Sequence, residues 1–283
     1  MAQTITVADQ DRSAPEPEDS ILFIGNATML VRLGGFTFLT DPTFVHRHEK
    51  VSIGYGMTTT RLTDPAMEIA DLPAIDFVLL SHLHGDHFDQ VAQAQLDRAL
   101  PILTTPEAAE ELHGMGFPAA TGIETWETAT LTKRHRRLEV TACPARHGPG
   151  VTDLALPDVM GSVVRTDEHT GPPRRLYISG DTLVHDALTE VPRRFPALDV
   201  AVIHLGGTKV LGVMVTMDAD QGVRAMRLID AGTTIPVHYD DYDVFTSSLE
   251  EFLEAARAAD QGDRITTLRR GETYSFDRHD YDT

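Results

Sequence analysis

One short turn of this sequence carries four side chains of the kind that bind metal ions. His82, His84, Asp86 and His87 lie in the string S-H-L-H-G-D-H-F-D, directly after the apolar run of residues 75–80. Neutral imidazole and carboxylate are the usual protein ligands of zinc and similar divalent metals. The turn therefore predicts a metal site at the end of a buried strand. The alternative is a solvated histidine-rich turn that binds metal only adventitiously.

The composition predicts a globular chain with no nucleic-acid or membrane partner. The hydrophobic fraction of 41% over 283 residues is enough for a sizeable core, and no apolar run is long enough to span a membrane. A net charge of −19 disfavours phosphate backbones and anionic membranes. With the single cysteine Cys143 and no visible secretory signal, we expect a cytoplasmic protein. Its expected partner is a small-molecule substrate, and association of identical chains is left open.

The acidic start of the chain is expected to lie outside the folded domain. Residues 1–20 place several Asp and Glu residues among Ala, Ser and Pro, a composition that favours a mobile N-terminal tail. Residues 21–283 contain no Pro- or Ser-rich linker, so we predict a single domain there.

Short β-branched or apolar runs bounded by turn residues predict strands. The predicted strands are Ile21–Ile24, Thr28–Leu33, Phe36–Leu39, Phe77–Leu80, Leu138–Ala142, Gly161–Arg165, Arg175–Ser179, Val200–His204 and Thr234–Val237. Gly34 and Gly35 should join the second and third of these in a tight hairpin. The basic residues 133–137 are expected to form an exposed hairpin turn.

Helices are predicted between the later strands. The predicted segments are Phe88–Leu100, 105–113, Met217–Ile229 and Phe252–Ala259. Thr105 and Pro106 fit an N-cap and a first-turn proline, and Ser247 with Glu250 fits a capping box. Early strands followed by strand–helix alternation predict a layered α/β architecture with helices outside the sheets.

Three residues far from the histidine turn could complete the metal site. His147, Asp181 and His238 each follow a predicted strand, as the turn itself does. Open α/β sheets place their active sites at the carboxyl ends of strands, so these segments are expected to converge. Taken singly, each residue also fits an ordinary surface histidine or turn aspartate.

The order H-x-H-x-D-H, His, Asp, His resembles the metallo-β-lactamase superfamily over roughly residues 20–240. The resemblance implies an α/β fold, a four-layer αββα sandwich of two mixed sheets with helices outside, and two divalent metal ions at the edge between the sheets. Zinc is favoured, with manganese or iron as alternatives. The implied ligands are His82, His84 and His147 for one metal, Asp86, His87 and His238 for the second, and Asp181 as a bridge.

Within that superfamily the chain is similar to the UlaG-like branch, named for L-ascorbate-6-phosphate lactonase. The similarity lies in Thr40-Asp41-Pro42, in the histidine string that ends at Asp89, and in the Ser-Gly-Asp-Thr that contains Asp181. N-acyl-phosphatidylethanolamine phospholipase D is a relative with similar motifs. Asn26 stands where the branch often has histidine, and Gly85 where many relatives carry tyrosine, so the substrate does not follow from the resemblance.

Two metal ions that share seven such ligands keep positions for water. Such a pair can share a hydroxide and stabilise the attacking and leaving oxygens, and Asp86 is expected to orient the hydroxide. We therefore predict a dinuclear metal-dependent hydrolase that uses a metal-bridging hydroxide on a small ester, lactone or phosphoester. The alternatives are a phosphodiesterase of the phospholipase D-like type, and a di-iron redox or metal-sensing protein on the same fold.

Other polar residues near these segments are weaker candidates. His204 and Lys209 follow another strand and could contact an anionic substrate or protonate the leaving group. Asp41 and Asp89 could accept the second ring proton of ligating histidines, although simple turn caps are equally expected. Arg146 could bind a phosphate or carboxylate, or form an ordinary surface ion pair.

Two long connections are candidate walls of a substrate pocket. Tyr55 and Met57 lie in the connection of residues 49–67 before the histidine turn. The apolar, proline-bearing segment 154–160 is the second candidate. Long connections often carry function, and both weakly indicate a partly hydrophobic substrate.

Overall fold

The computed structural model describes residues 3–7, 18–54, 56–149, 156–167, 173–210 and 212–276. In these ranges the chain forms two seven-stranded sheets and two small two-stranded sheets. The strands are β1 (Gln3–Thr6), β2 (Ser20–Gly25), β3 (Thr28–Leu33), β4 (Phe36–Thr40), β5 (Lys50–Ser52), β6 (Thr58–Thr60), β7 (Phe77–Leu79), β8 (Ile102–Thr104), β9 (Ala120–Gly122), β10 (Thr128–Lys133), β11 (Arg136–Pro144), β12 (Met160–Thr166), β13 (Arg175–Ile178), β14 (Val200–His204), β15 (Lys209–Val210), β16 (Val213–Met214), β17 (Thr233–Val237) and β18 (Thr273–Ser275). The α-helices are α1 (Gln90–Gln95), α2 (Pro106–Gly114), α3 (Glu190–Arg194), α4 (Ala219–Ile229) and α5 (Leu249–Ala258).

Both large sheets combine antiparallel and parallel pairing. The first has the order β1-β10-β11-β12-β13-β14-β17, and the second has the order β18-β2-β3-β4-β7-β8-β9. Strands β13, β14 and β17 pair in parallel in the first sheet, as β4, β7, β8 and β9 do in the second. Parallel neighbours need crossover connections, and most of the α-helices lie in these connections.

Side chains from both sheets fill the space between them. Phe38 and Phe77 of the second sheet stack with their ring centroids 4.7 Å apart. They belong to the same buried cluster as Val140, Val164 and Val202 of the first sheet. The two sheets therefore pack face to face around one apolar core.

Helices cover the outer faces of both sheets. Met226 of α4 and Phe252 of α5 pack with strand residues of the first sheet, and Ala92 of α1 and Leu112 of α2 pack with the second sheet. The layers are helix, sheet, sheet, helix, which confirms the predicted αββα sandwich. No helix in the described ranges is long and apolar enough to cross a membrane.

All nine predicted strands are present, with ends that differ from the prediction by at most two residues. The hairpin between β3 and β4 is also confirmed. Gly34 (φ +59°) and Gly35 (φ +81°) supply the two left-handed positions that such a tight turn requires. The basic residues 133–137 form the β10–β11 turn, where Lys133 is paired with Arg136.

The prediction of a mobile tail over residues 1–20 is wrong for its described parts. Gln3–Thr6 forms strand β1, which pairs in parallel with β10, and Ile5 packs against the central core. The β-branched run of residues 4–7 favours a strand, and the acidic composition of the later residues masked that signal. Residues 1–2 and 8–17 lie outside the described ranges.

The range predicted for α1 and the capping box predicted for α5 both differ from the structure. Helix α1 spans Gln90–Gln95 instead of Phe88–Leu100, and the Asp97 carboxylate accepts from the Ala99 N–H in the turn that follows. Such local side-chain bonds compete with the helix. The capping box is formed by Ser248 and Glu251, one residue later than predicted.

Candidate metal centre

The histidine turn connects β7 to the start of α1. Its backbone is closed by hydrogen bonds from the N–H groups of His87 and Phe88 to the carbonyl oxygen of His84. The β5–β6 hairpin packs on Gly85, whose N–H donates to the Ser52 carbonyl oxygen at 2.8 Å. A Cβ at position 85 would lie 2.5 Å from that oxygen, so the close approach of the two backbones requires glycine.

The three distant candidates converge on this turn. His147 follows β11, Asp181 follows β13 and His238 follows β17, so the first sheet supplies these residues and the second supplies the turn. All the candidate ligands are buried. Within each group the ligand atoms lie within 4.8 Å of one another; the groups are His82, His84 and His147; Asp86, His87 and His238; and His82, His87 and Asp181.

Hydrogen bonds fix which ring nitrogen of the histidines faces the cluster. The Nδ1–H of His147 donates to the Val215 carbonyl oxygen at 3.1 Å, and the Nδ1–H of His238 donates to Leu205 at the same distance. The Nδ1–H of His87 donates to Asp41 at 2.9 Å. Each bond leaves Nε2 as the free ligand atom, as in other metal-binding histidines.

Several buried polar atoms at the centre have no hydrogen-bond partner. They are Nε2 of His87, Nε2 of His238, Oδ1 of Asp86 and Oδ1 of Asp181. Buried polar atoms are nearly always paired, because an unpaired one carries its full desolvation cost. Nitrogen and carboxylate donors that face one another across a few ångströms fit divalent metal ions.

Burial favours the neutral form of His82, His84 and His147. Desolvation lowers the pKa of His147 to about 4 and lowers the pKa values of His82 and His84 as well. Neutral imidazole is the form that binds metal. The Nε2 of His82 and the Nδ1 of His84 lie 3.0 Å apart, so two neutral rings present their nitrogens to one position.

In the group of Asp86, His87 and His238, the nearby carboxylates affect the histidine pKa values more than burial does. Burial disfavours the charged ring of His87, but Asp181 and Asp86 outweigh burial and raise its pKa well above the usual value. Burial likewise disfavours the Asp181 carboxylate, but His238 and His87 outweigh it and hold the pKa well below the usual value. These carboxylates therefore stabilise positive charge at this position, whether a proton or a metal ion carries it.

Asp41 lies behind the cluster and contacts more than one of its members. It accepts hydrogen bonds from the backbone N–H and the hydroxyl of Ser81 as well as from His87. The Nε2 of His204 lies 3.5 Å from the same carboxylate, and His204 is fully buried against Ser179. This placement supports a positioning role for His204 through Asp41 better than direct contact with a substrate.

Asp89 does not serve a histidine in the way that Asp41 does. Its carboxylate caps α1 by accepting from the N–H groups of Val91 and Ala92. It also accepts from the N–H groups of Phe44 and Val45. The alternative of a simple cap is the correct one, and the buried carboxylate ties the loop after β4 to the start of α1.

In the described ranges, the structure shows no contact between the candidate ligands and the side chains of Lys209, Arg146 or Met57. Lys209 is exposed on the β15–β16 hairpin, and Arg146 is exposed beside His147. The structure has a groove beside His84. Lys209, Arg146 and Met57 are not among the residues that line it. Tyr55 lies outside the described residues.

The sequence did not predict the contacts that Thr216 and Asn26 make with the candidate ligands. The Thr216 hydroxyl donates to Oδ2 of Asp181 at 2.9 Å. The Asn26 side-chain amide donates to the Asp86 carbonyl oxygen at 2.6 Å, and the backbone carbonyl of Asn26 accepts from the N–H of His238. Nothing in the local pattern around Thr216 signals its role, whereas the Gly25-Asn26 pair carries the sequence signal of a turn.

A groove with a volume of about 440 Å³ opens beside the cluster at His84. Ser52 and Gly54 lie along it, as do Leu156–Asp158 from the predicted second connection. Of the seven candidate ligands, His84 lines this groove, so the groove is the candidate substrate site.

Comparison with protein families identifies the chain's superfamily. A family model described as the β-lactamase superfamily domain matches residues 37–239, most of the chain and all seven candidate ligands.

Sequence relatives are distant but extensive. An uncharacterized protein of Mycobacterium tuberculosis is 26% identical over 87% of this chain, and N-acyl-phosphatidylethanolamine-hydrolyzing phospholipase D 1 of Caenorhabditis elegans is 26% identical over 82%. The aligned segments span only 65% and 66% of those relatives' own lengths. A metal-dependent hydrolase of Anaeromyxobacter is 26% identical over 93% of this chain and 89% of its own.

Solved structures share the fold. Isothiocyanate hydrolase from Delia radicum gut bacteria superposes with a TM-score of 0.76 at 21% identity, covering 91% of this chain and 99% of the other. A metallo hydrolase from Ignicoccus hospitalis gives 0.67 at 19% identity, with 92% and 99% covered. The family match over residues 37–239 shows that the chain belongs to the metallo-β-lactamase superfamily.

Proposed function

We propose that this protein is a dinuclear metal-dependent hydrolase that acts on a small ester, lactone or phosphoester. The observation that carries the proposal is the pair of ligand groups, His82, His84 and His147 beside Asp86, His87 and His238, with Asp181 adjoining both. Unpaired, buried nitrogen and oxygen atoms in these groups point at one another. When bound, two such ions supply an ionised water and polarise the electrophilic oxygen.

The chain's own residues hold and orient the reactants in this proposal. Asp86 has one carboxylate oxygen without a partner, which can accept a hydrogen bond from the attacking water and so orient its lone pair. Asp41 holds the ring of His87, and Thr216 holds the carboxylate of Asp181. In the reaction, the water oxygen bonds to the acyl carbon or phosphorus, the bond to the leaving oxygen breaks, and that oxygen takes up a proton.

A phosphodiesterase is the second candidate function. The similarity to a phospholipase D of Caenorhabditis elegans over 82% of this chain favours it. The chain's net charge of −19 disfavours an anionic lipid surface as the place of reaction.

Metal removal and a substrate panel test the proposed function together. The protein is stripped with a chelator, reloaded separately with Zn²⁺, Mn²⁺ or Fe²⁺, and assayed on carboxylic esters, lactones and bis-aryl phosphodiesters. We expect activity to vanish on stripping and to return on reloading. Hydrolysis of the diesters alone would replace the leading proposal with the phosphodiesterase. A visible absorbance band with bound iron and no hydrolysis would favour redox chemistry, because zinc cannot change its oxidation state.

Matched variants connect that activity to the cluster. His84→Ala should lose metal and hydrolysis, whereas His135→Ala, in the exposed β10–β11 turn, should keep both. Equal activity and metal content in the two variants would contradict the proposed site.

A further inference from the structure

The groove beside His84 carries a strong bias of charge. We call it the acidic groove; it is lined by Ser52, Gly54, Leu83, His84, Gly85, Phe88, Gln90, Gln93, Glu107, Ala108, Glu111, Met115, Leu156, Pro157 and Asp158. Three of these residues are acidic, and among the described lining residues there is no lysine or arginine.

The carboxylates lie on two elements that face each other across the groove. Glu107 and Glu111 are one turn apart on α2, a spacing that places them on the same helix face. Asp158 belongs to the segment before β12, and its backbone N–H donates to Oε2 of Glu107 at 2.8 Å. The contact joins the two walls, so the negative charges are concentrated at one end of the groove.

A second observation, independent of the acids, indicates that a ligand binds there. His84 is only 8% exposed, and its Nε2 has no hydrogen-bond partner. Its Nδ1 faces Nε2 of His82, so the ring uses Nδ1 toward the metal position and turns Nε2 to the groove. A neutral ring with Nδ1 as the ligand atom carries its proton on Nε2, which makes this atom a donor for a bound substrate.

Gly54 lies beside that buried donor. Its φ is +81°, and a Cβ built there would lie 3.3 Å from the Nε2 of His84. A side chain at this position would cover the ring nitrogen, so the glycine leaves room for a ligand atom.

Half of the other lining residues are apolar. Leu83 lies within the histidine turn, Phe88 directly follows it, and Leu156 comes from the segment before β12. Met115 also lines the groove and is 40% exposed, so it offers apolar surface to a ligand.

We propose that the acidic groove binds the cationic end of the substrate, and that the substrate is an ester or lactone that carries an ammonium group on an apolar segment. This inference rests on the proposed hydrolase function and narrows it. The ammonium group lies against Glu107, Glu111 and Asp158, the apolar segment lies along Leu83 and Met115, and the carbonyl oxygen lies toward His84. An anionic phosphoester is repelled by the same carboxylates.

Three aryl esters of equal size test the inference. One ends in a trimethylammonium group, one in the neutral and isosteric tert-butyl group, and one in a sulfonate. We expect kcat/KM to fall in that order, with roughly a three- to tenfold advantage of the cation over the neutral ester at low ionic strength. The advantage should shrink as NaCl is raised, because salt screens exposed charges.

Charge-neutral variants locate the effect. In the double variant Glu107→Gln, Glu111→Gln the cation's advantage over the tert-butyl ester should be largely lost, because two of the three carboxylates are neutral, and the metal content should be unchanged. Glu110→Gln is the matched control, because Glu110 is exposed on the same helix and does not line the groove.

The outcomes distinguish failure of the cation site from failure of the proposed hydrolase function. Turnover of all three esters at equal rates, or an advantage that survives in the double variant, overturns the acidic groove as a cation site and leaves the hydrolase in place. No turnover of any ester by metal-loaded protein overturns the proposed ester hydrolase itself.

Discussion

At the scale of single residues, hydrogen bonds to neighbouring groups decide which atoms face the metal position. The carbonyl oxygens of Val215 and Leu205 each accept a ring proton from a candidate ligand, and Asp41 accepts one from His87. The seven candidate ligands were identified from the histidine turn, from the ends of three predicted strands and from the resemblance to the superfamily's motif order. The contacts that support these ligands could not be predicted, because every residue has a backbone carbonyl and its presence gives no sequence signal.

Thr216 offers a test of this support. Replacing it with Val removes the hydroxyl that donates to Asp181 at 2.9 Å while keeping the shape of the side chain. We expect metal affinity to fall about 10- to 100-fold, measured by competition with a chelator. Thr104→Val is the control, because the Thr104 hydroxyl is buried without a partner. An equal loss in both variants would show that Thr216 does not act through Asp181.

The second prediction at the scale of single residues concerns the reactivity of the only cysteine of the chain, Cys143. Burial raises the pKa of the Cys143 thiol to about 12, so the neutral thiol is favoured and about one in ten thousand molecules carries the thiolate at pH 8. A thiol reagent should leave the native protein unlabelled at pH 8 and label it after unfolding. Rapid labelling of the native protein at that pH would contradict the buried placement.

At the scale of elements, the strands could be predicted more accurately than the helix ends. A buried strand needs only an apolar run between turns, and all nine strands that were predicted are present in the structure. Helix ends depend on which of two similar polar residues turns inward. Ser247 and Ser248 are both caps by type, but the Ser247 hydroxyl accepts from the N–H of Ala219, which leaves Ser248 to cap α5.

The capping box of α5 gives the prediction at this scale. Ser248→Ala should lower the free energy of unfolding by about 1 kcal/mol, and Glu251→Gln should have a smaller effect because an amide can still accept. Glu250→Gln, at the neighbouring position, should leave the free energy of unfolding nearly unchanged. Denaturant unfolding curves measure all three, and a loss in the Glu250 variant equal to that of Ser248→Ala would restore the register predicted from the sequence.

At the scale of the whole molecule, the candidate metal centre joins the two sheets. The second sheet supplies the turn that contains His82 and His87, and the first supplies His147, Asp181 and His238. The strand and helix pattern predicted a layered α/β architecture, and the resemblance to the metallo-β-lactamase superfamily implied this sandwich. Strand β1 was missed because the acidic residues that follow it masked the strand signal of its β-branched run.

Because both sheets contribute ligands, bound metal should stabilise the entire domain. A ligand present at about 1,000 times its dissociation constant adds about 4 kcal/mol to the free energy of unfolding. For a domain of this size we expect the melting temperature to rise by roughly 8–16 °C on reloading stripped protein. An unchanged melting temperature would mean that the sheets are held together without the metal.

The number of metal ions bound per chain tests the central claim most directly. Stripped protein is reloaded with Zn²⁺, freed of excess metal, and measured by elemental analysis against protein concentration. The seven ligands arranged around Asp181 predict two equivalents in the wild-type chain and about one in His238→Ala, which retains His82, His84 and His147. A wild-type chain that binds no metal, or a His238→Ala variant that still binds two, would contradict the two-metal site.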